Sequence, residues 1–166
     1  MEKRIKESYK NTLYDFVEDI LVQCPACNQK AVVKTGNFKE FNYTIDEVAL
    51  ICSSCGYSKK INDISQRRES KQKKGLILKF GDAIDPFFHC KLWLQMDFRE
   101  NVFWAYNLKH LELIEAHVHA TLRERNEVNY NVRSIGARLP RWISSAKHRD
   151  EILKLIQKLK YNCQNA

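Results

Sequence analysis

Two cysteine pairs are the residues of this sequence whose type and spacing most clearly predict chemistry. The pairs are Cys24-Pro-Ala-Cys27 and Cys52-Ser-Ser-Cys55, with 24 residues between them. A Cys-x-x-Cys turn presents two thiolates to one ion, and zinc takes four such ligands in a tetrahedron. The residues that follow the pairs, Asn28 and Gly56, tolerate a left-handed backbone that turns amides toward sulfur. We therefore predict one zinc ion held by the four cysteines.

The predicted zinc ion should be structural, because four thiolates fill its coordination sphere and leave no position for water. No histidine lies between residues 24 and 55, which excludes a finger with two Cys and two His ligands. Redox pairs are the alternative, but these sit on strand-to-helix turns, and the flanks here have strand patterns. Cys90 and Cys163 stand alone and are expected to be small buried hydrophobes without a role.

Catalytic patterns in the sequence lack the residues that would complete them. His148-Arg149-Asp150 copies a tripeptide of the kinase catalytic loop, but no Gly-rich loop or Asp-Phe-Gly accompanies it. His117 and His119 are two residues apart, so on a helix they would face different sides and could not share a metal. The sequence therefore predicts no enzyme. It leaves the roles of His110, His117, His119 and His148 open.

The net charge of +8 is concentrated in two blocks, residues 59–79 and 131–166, each with eight basic and two acidic residues. Such blocks neutralise phosphates without choosing a sequence. An aromatic ring among basic groups suits single strands, where bases stack and phosphates pair. The residues expected to bind nucleic acid are Lys59, Lys60, Arg67, Arg68, Lys71, Lys73, Lys74, Arg138, Arg141, Trp142, Lys147 and Arg149.

Three functions are consistent with these features. The first is a zinc-ribbon nucleic-acid-binding protein with an accessory or regulatory role, its target being DNA or RNA. The second is an adaptor whose ribbon docks on an acidic protein partner or a larger complex. The third is an enzyme with an unrecognised site. Charged segments are often merely solvated, and Trp93, Trp104 and Trp142 are often core residues, so the alternatives stay open together with oligomeric state and sequence preference.

The first part of the chain is predicted to hold one helix and several short strands. Apolar residues at helical spacing (Ile5, Tyr9, Leu13, Phe16 and Ile20) predict an amphipathic helix over residues 2–21. Short strands are expected at 31–33 and 48–51, with a turn at 35–37 and alternating residues over 38–44. These strands would bring the two cysteine pairs together in a zinc ribbon.

The second part of the chain is predicted to be an antiparallel hairpin with two helices. A short strand is expected at 76–80, followed by strands at 86–94 and 102–106 that turn around residues 99–101. Asn107 should cap a helix that ends near residue 125. Ser144 or Ser145 should cap a last helix, whose buried stripe is Ile152, Leu155, Ile156 and Leu159.

Together these elements predict an α+β fold in consecutive parts. The expected parts are an N-terminal helix plus zinc ribbon (1–61), a basic linker (62–75), an α+β domain (76–160) and a tail (161–166). No apolar run approaches the roughly 20 residues of a membrane helix, and the charged start is unlike a signal peptide. We therefore expect a cytoplasmic protein with no membrane partner.

The sequence also resembles known proteins in two respects. The cysteine pairs and their flanks resemble the zinc ribbons of transcription and replication factors. Runs between 24 and 160, with Trp104-Ala-Tyr-Asn107 and the more specific stretch 137–151 among them, resemble a family of small bacterial zinc-ribbon proteins. The resemblance implies a bacterial cytosolic ribbon protein and no particular activity. It points to Arg138, Arg141, His148 and Arg149 as a functional surface.

Overall fold

The computed structural model describes residues 4–35, 44–65, 78–123 and 132–165. For residues 4, 44–46, 63–65 and 122–123 it describes the backbone alone. After a short strand β1, Arg4–Ile5, four antiparallel strands form one sheet in chain order. They are β2 (Ile20–Gln23), β3 (Lys30–Lys34), β4 (Thr44–Ile51) and β5 (Ser58–Ser65). The strands predicted at 31–33 and 48–51 are confirmed within longer ones. Residues 36–43, which hold most of the predicted turn and alternation, lie outside the described residues.

A row of buried side chains crosses this sheet and fixes its register. Ile20 pairs with Val33, and Val33 pairs with Leu50, and each is at most 1% exposed. Burying an aliphatic side chain of this size contributes about 1.5–3 kcal/mol, so a slip of one residue would be costly. Since β2 and β4 both run antiparallel to β3, they end at the same edge of the sheet. Cys24 and Cys52, the next residue after each strand, therefore lie near each other.

The single helix predicted over residues 2–21 is wrong. In its place the chain forms β1, two 3₁₀ turns at Glu7–Tyr9 and Leu13–Phe16, and then β2. Thr12 and Asp15 start the second turn as a capping box, with the Thr12 N–H donating to Asp15 Oδ2 at 2.7 Å. Asp19 then adopts a left-handed φ of 53° that leads into β2. The apolar residues at helical spacing are buried by several short segments rather than by one helix face.

The hairpin predicted around residues 99–101 is confirmed. Strand β6 (Leu94–Phe98) pairs antiparallel with β7 (Asn101–Ala105), and Arg99 turns the chain with a φ of 56°. The first predicted strand, 86–94, has the wrong bounds. Its residues fold into a turn because the Asp85 carboxylate accepts the N–H groups of Phe87, Phe88 and Cys90 at 3.0, 2.8 and 2.6 Å. Residues 78–80, the described part of the strand expected at 76–80, form no strand.

The predicted cap of the first long helix is confirmed. Helix α1 (Leu108–His119) begins after Asn107, whose Oδ1 accepts the His110 N–H at 2.9 Å. The helix ends before the expected residue 125. There the Arg149 side chain donates to the carbonyls of Val118 and Ala120 at 3.0 and 3.4 Å. The chain then forms β8 (Leu122–Arg123), which pairs parallel with β1.

Three helices complete the described part of the chain: α2 (Ile135–Arg138), α3 (Arg141–Ser144) and α4 (Arg149–Gln164). Ser145 accepts the Lys147 N–H at 3.3 Å and so caps a 3₁₀ turn, Ala146–His148, that leads into α4. The predicted stripe of α4 is buried, namely Ile152, Leu155, Ile156 and Leu159. The α+β class is thus confirmed. In the part of the chain that the structure describes, no helix is long and apolar enough to cross a membrane.

Strand β2 joins the four-stranded sheet to the second half of the chain. Beyond its pairing with β3, the Leu21 N–H donates to the Tyr106 carbonyl at 2.8 Å, and the Leu21 carbonyl accepts the Trp93 N–H at 2.9 Å. The Gln23 N–H donates to the Lys91 carbonyl at 2.8 Å. The predicted linker, 62–75, begins inside β5, and residues 66–75 lie outside the described residues, so the division into two domains stays a prediction.

Candidate metal centre

The first cysteine pair lies on a tight turn between β2 and β3. The Cys24 N–H donates to the Gln29 carbonyl at 2.8 Å, and the Asn28 N–H donates to the Cys24 carbonyl at 2.9 Å. Asn28 has the left-handed φ of 59° that the sequence predicted for this position. Inside the turn, the Ala26 N–H points at Cys24 Sγ, 3.4 Å away. The turn therefore offers a sulfur atom an amide donor, which stabilises a thiolate.

The second pair repeats this geometry between β4 and β5. The Cys52 N–H donates to the Tyr57 carbonyl at 2.9 Å, and the Gly56 N–H donates to the Cys52 carbonyl at 3.0 Å. Gly56 has a φ of 75°, and a Cβ atom placed on it would meet nothing within 4 Å. The position therefore needs glycine for its backbone conformation and not for space.

The two turns bring four sulfur atoms into one cluster. Cys24 Sγ lies 3.7 Å from Cys55 Sγ, and Cys27 Sγ lies 3.7 Å from Cys52 Sγ. All four sulfur atoms lie within 4.8 Å of one another. Four sulfurs bound at ~2.3 Å around a tetrahedral ion would be about 3.8 Å apart. The cluster can therefore hold a metal ion.

The environment of the thiols favours one negative charge and opposes further ones. Burial disfavours the Cys52 thiolate, but the N–H groups of Cys55 and Ser54 and the neighbouring thiols lower the pKa of Cys52 to about 6. At Cys27 the N–H of Gln29 favours the thiolate, whereas burial and the neighbouring thiols raise the pKa to about 12. Four thiolates together thus require a cation among them, since a bound cation lowers the pKa of each ligand.

The cluster is covered on one side and open to solvent on the other. Cys24 and Cys52 are buried, Cys27 is half-buried, and Cys55 is exposed. In the described part of the chain, neither Cys90 nor Cys163 belongs to the cluster. Cys90 packs against the same apolar core as the ribbon strands, where burial raises its pKa to about 11.

The first basic block is described only in part. Lys59 and Lys60 are exposed on β5, where Lys60 Nζ lies 3.0 Å from Glu47 Oε1 and Lys59 Nζ lies 5.9 Å from the Phe88 ring centre. Both ammonium groups thus already have an intramolecular contact. The remaining predicted residues of this block, Arg67, Arg68, Lys71, Lys73 and Lys74, lie outside the described residues.

The second basic block surrounds a half-buried aromatic side chain. Arg138 and Arg141 are exposed at the end of α2 and the start of α3, and Lys147 is exposed before α4. Trp142 is half-buried and stacks on Phe98, with ring centres 5.3 Å apart and planes at 13°. Arg149 is half-buried and donates to two carbonyls at the end of α1, so this guanidinium also holds the fold together.

Two histidines whose roles the sequence left open are buried. His117 Nδ1 lies 2.9 Å from Ser8 Oγ and His117 Nε2 lies 3.4 Å from Ser144 Oγ, which links the first 3₁₀ turn, α1 and α3. His110 Nδ1 accepts the Tyr106 N–H at 3.2 Å. His119 and His148 are half-buried, and the His148 ring meets the Phe98 ring edge to face at 5.6 Å.

A cavity of about 690 Å³ lies beside the second basic block, and the sequence did not predict it. Its wall includes four aromatic side chains, one histidine and two exposed arginines: Tyr14, Phe80, Trp104, Trp142, His110, Arg133 and Arg138. These residues come from segments that are far apart in the chain, so only the fold brings them together. The one signal in the sequence was Trp142 lying close to Arg138 and Arg141.

Comparison of the chain with protein-family models, with curated proteins and with solved structures finds no match. The function of the metal centre and of the basic surface must therefore be inferred from their own residues. The two features that carry most chemical information are the sulfur cluster and the exposed cations around Trp142.

Proposed function

We propose that the four cysteines hold one zinc ion and that this ion has a structural role. The support is the pair of sulfur distances of 3.7 Å, which match the edge of a zinc–thiolate tetrahedron. Four protein ligands leave no open position for substrate or water. When bound, zinc would supply positive charge that keeps the four thiols ionised and fixes the ends of β2 and β4. The proposal places the protein in the reducing cytoplasm of a bacterium, where free cysteines persist.

Elemental analysis of the purified protein tests the identity of the metal. A tetrahedral set of four sulfurs also suits iron, so the measurement has to separate the two metals. About one zinc per chain supports the proposal. Iron in its place, or protein that is folded without any metal, overturns it.

We propose further that the protein binds nucleic acid as an accessory or regulatory factor. One observation carries this proposal: Arg138, Arg141 and Lys147 are exposed, lie close to Trp142 in the chain, and have no ion-pair partner among the described residues. Unpaired surface cations are available to phosphates, and an adjacent aromatic ring suits unpaired bases. Single-stranded DNA or RNA is therefore the favoured target.

A titration with a fluorescent single-stranded oligonucleotide over a series of salt concentrations tests this proposal. Binding should weaken steeply with salt, because cations of the protein displace counterions from the phosphates. Replacing Arg138 and Arg141 by alanine should reduce the salt slope by ~0.7 for each lost phosphate contact. A matched control is Lys154→Ala with Lys158→Ala, two exposed lysines on α4 of the same block. No binding at low salt, or an equal effect of the two double variants, would contradict the proposal.

An adaptor that docks on an acidic protein is the second candidate function. The observation in its favour is that Arg138, Arg141 and Lys147 are exposed without ion-pair partners among the described residues, since such cations bind the carboxylates of an acidic protein as well as phosphates. An adaptor would be captured with a protein partner from native lysate after nuclease treatment, whereas a nucleic-acid-mediated association would be lost. Loss of all association after nuclease treatment would exclude the adaptor.

A further inference from the structure

The cavity beside the second basic block has the size and lining of a ligand pocket. Its volume of about 690 Å³ lies within the ~300–1,000 Å³ range of small-molecule sites. Such sites combine mostly apolar and aromatic walls with a few polar groups that set orientation. Here the polar groups include a buried histidine and two exposed arginines.

Aromatic rings form much of the wall. Tyr14 and Phe80 meet edge to face, with ring centres 5.1 Å apart. Trp104 is half-buried and packs at a tilt on Tyr106, with ring centres 5.3 Å apart. Trp142 stacks on Phe98, meets Phe103 edge to face, and also lines the cavity. Flat walls of this kind select flat ligands, because stacking on an aromatic ring contributes ~1–3 kcal/mol per base.

His110 contributes a buried hydrogen-bond donor to the wall of the cavity. The residue is 3% exposed, and burial lowers its pKa to about 3, so the ring is neutral at physiological pH. Since Nδ1 accepts the Tyr106 N–H at 3.2 Å, the ring proton must sit on Nε2. In the described part of the chain no group accepts from this Nε2–H. A ring nitrogen or carbonyl oxygen of a base would satisfy it.

Two exposed arginines, Arg133 and Arg138, are part of the cavity wall. A guanidinium group binds phosphate through two parallel hydrogen bonds. The cavity thus combines aromatic walls, a buried donor and exposed phosphate-binding groups.

We propose that this cavity binds one nucleotide, with the base between the aromatic side chains and the phosphate at Arg138. The inference rests on the proposed nucleic-acid-binding function and adds to it a defined site for a single nucleotide. Every base carries at least one acceptor for the His110 N–H, so the site selects a nucleotide without selecting a particular base. The same chemistry is offered by a free nucleotide and by one nucleotide of a single strand.

Calorimetric titrations of the metal-containing protein with three small probes test the cavity. Adenosine 5′-monophosphate carries base and phosphate, ribose 5-phosphate lacks the base, and adenosine lacks the phosphate. Either truncated probe should bind about tenfold more weakly than the complete nucleotide. Arg138→Ala should weaken the complete nucleotide about tenfold and leave adenosine unchanged. The matched control is Lys154→Ala, since Lys154 is also an exposed cation of the second basic block but does not line the cavity.

A short single-stranded oligonucleotide and the same strand without bases complete the experiment. If the intact strand binds more tightly than the mononucleotide and depends on Arg138, the natural ligand is a strand. If the mononucleotide binds and depends on Arg138 while no strand binds, the cavity is a site for free nucleotides and the proposed nucleic-acid function fails alone. If strands bind but removal of their bases or of the Arg138 side chain has no more effect than Lys154→Ala, the cavity proposal is overturned and the nucleic-acid function stands. Equal binding of the complete nucleotide and ribose 5-phosphate also overturns it.

Discussion

Replacing Asn107 by alanine should cost about 3 kcal/mol in the free energy of unfolding, because one side chain serves two elements. Its Oδ1 accepts the His110 N–H at 2.9 Å and so caps α1. Its Nδ2 donates to the carbonyls of Phe16 and Glu18 at 3.0 and 2.9 Å. The residue is 9% exposed, so water cannot easily replace these three bonds.

The magnitude follows from the three bonds of Asn107. Loss of a helix cap costs ~1 kcal/mol. Loss of each of the two bonds from Nδ2 costs ~1 kcal/mol, the net contribution of an ordinary intramolecular hydrogen bond. Asn107→Asp separates the contributions, since a carboxylate keeps the cap acceptor but offers no donor to Phe16 and Glu18. That variant should lose at least ~2 kcal/mol at neutral pH.

Urea denaturation in the presence of zinc, followed by tryptophan fluorescence and far-UV circular dichroism, measures both variants. The matched control is Ser145→Ala, which removes a 3.3 Å cap from a three-residue turn and should cost below ~0.5 kcal/mol. If Asn107→Asp is as stable as the unmodified protein, the bonds to Phe16 and Glu18 contribute nothing. Our explanation of how the non-helical segment before β2 is held would then be refuted.

Three further perturbations should give defined results. Cys55→Ser should abolish zinc binding, measured by elemental analysis, and unfold the ribbon strands, because metal binding and folding are coupled in so small a unit. Gly136→Ala should cost ~1–3 kcal/mol in urea denaturation, since its Cβ would lie 2.9 Å from Tyr9 Cε1 and 3.0 Å from Ser8 Oγ. The neutral His110 ring, with a pKa of about 3 against the usual 6.5, stabilises the fold fully above pH 6.5. That stability should fall by up to ~1.4 kcal/mol per pH unit as the pH drops from 6.5 toward 3, and His110→Gln should remove this slope.

The cluster of four cysteines could be predicted from the sequence because its geometry is local. Each Cys-x-x-Cys turn positions its own two sulfurs, and Asn28 and Gly56 take the left-handed conformation that such turns need. The only long-range requirement is that β2 and β4 end at the same edge of a sheet. Strand β3 lies between them, and its alternating buried residues indicate in the sequence that it is a strand.

The N-terminal helix and the cavity show where sequence patterns were insufficient. Helical spacing of Ile5, Tyr9 and Phe16 cannot distinguish one helix from successive short segments that each bury an apolar residue. The deciding contacts, the Asn107 bonds to Phe16 and Glu18, join residues about 90 positions apart. The cavity wall likewise forms only when the chain folds, because it combines Tyr14, Trp104 and Trp142. No local sequence pattern predicts that these residues meet.

The position of β2 has a consequence for cooperativity. This strand ends at Cys24, pairs on one side with β3, and on the other exchanges backbone hydrogen bonds with Trp93, Lys91 and Tyr106. Its amide hydrogens should therefore exchange with solvent only in the largest opening event of the chain. Removing zinc with a chelator should accelerate exchange at Trp93, far along the sequence from any cysteine ligand. The metal site and the segments around Trp93 and Tyr106 would then belong to one folding unit, in which loss of the ion destabilises residues next to the cavity wall.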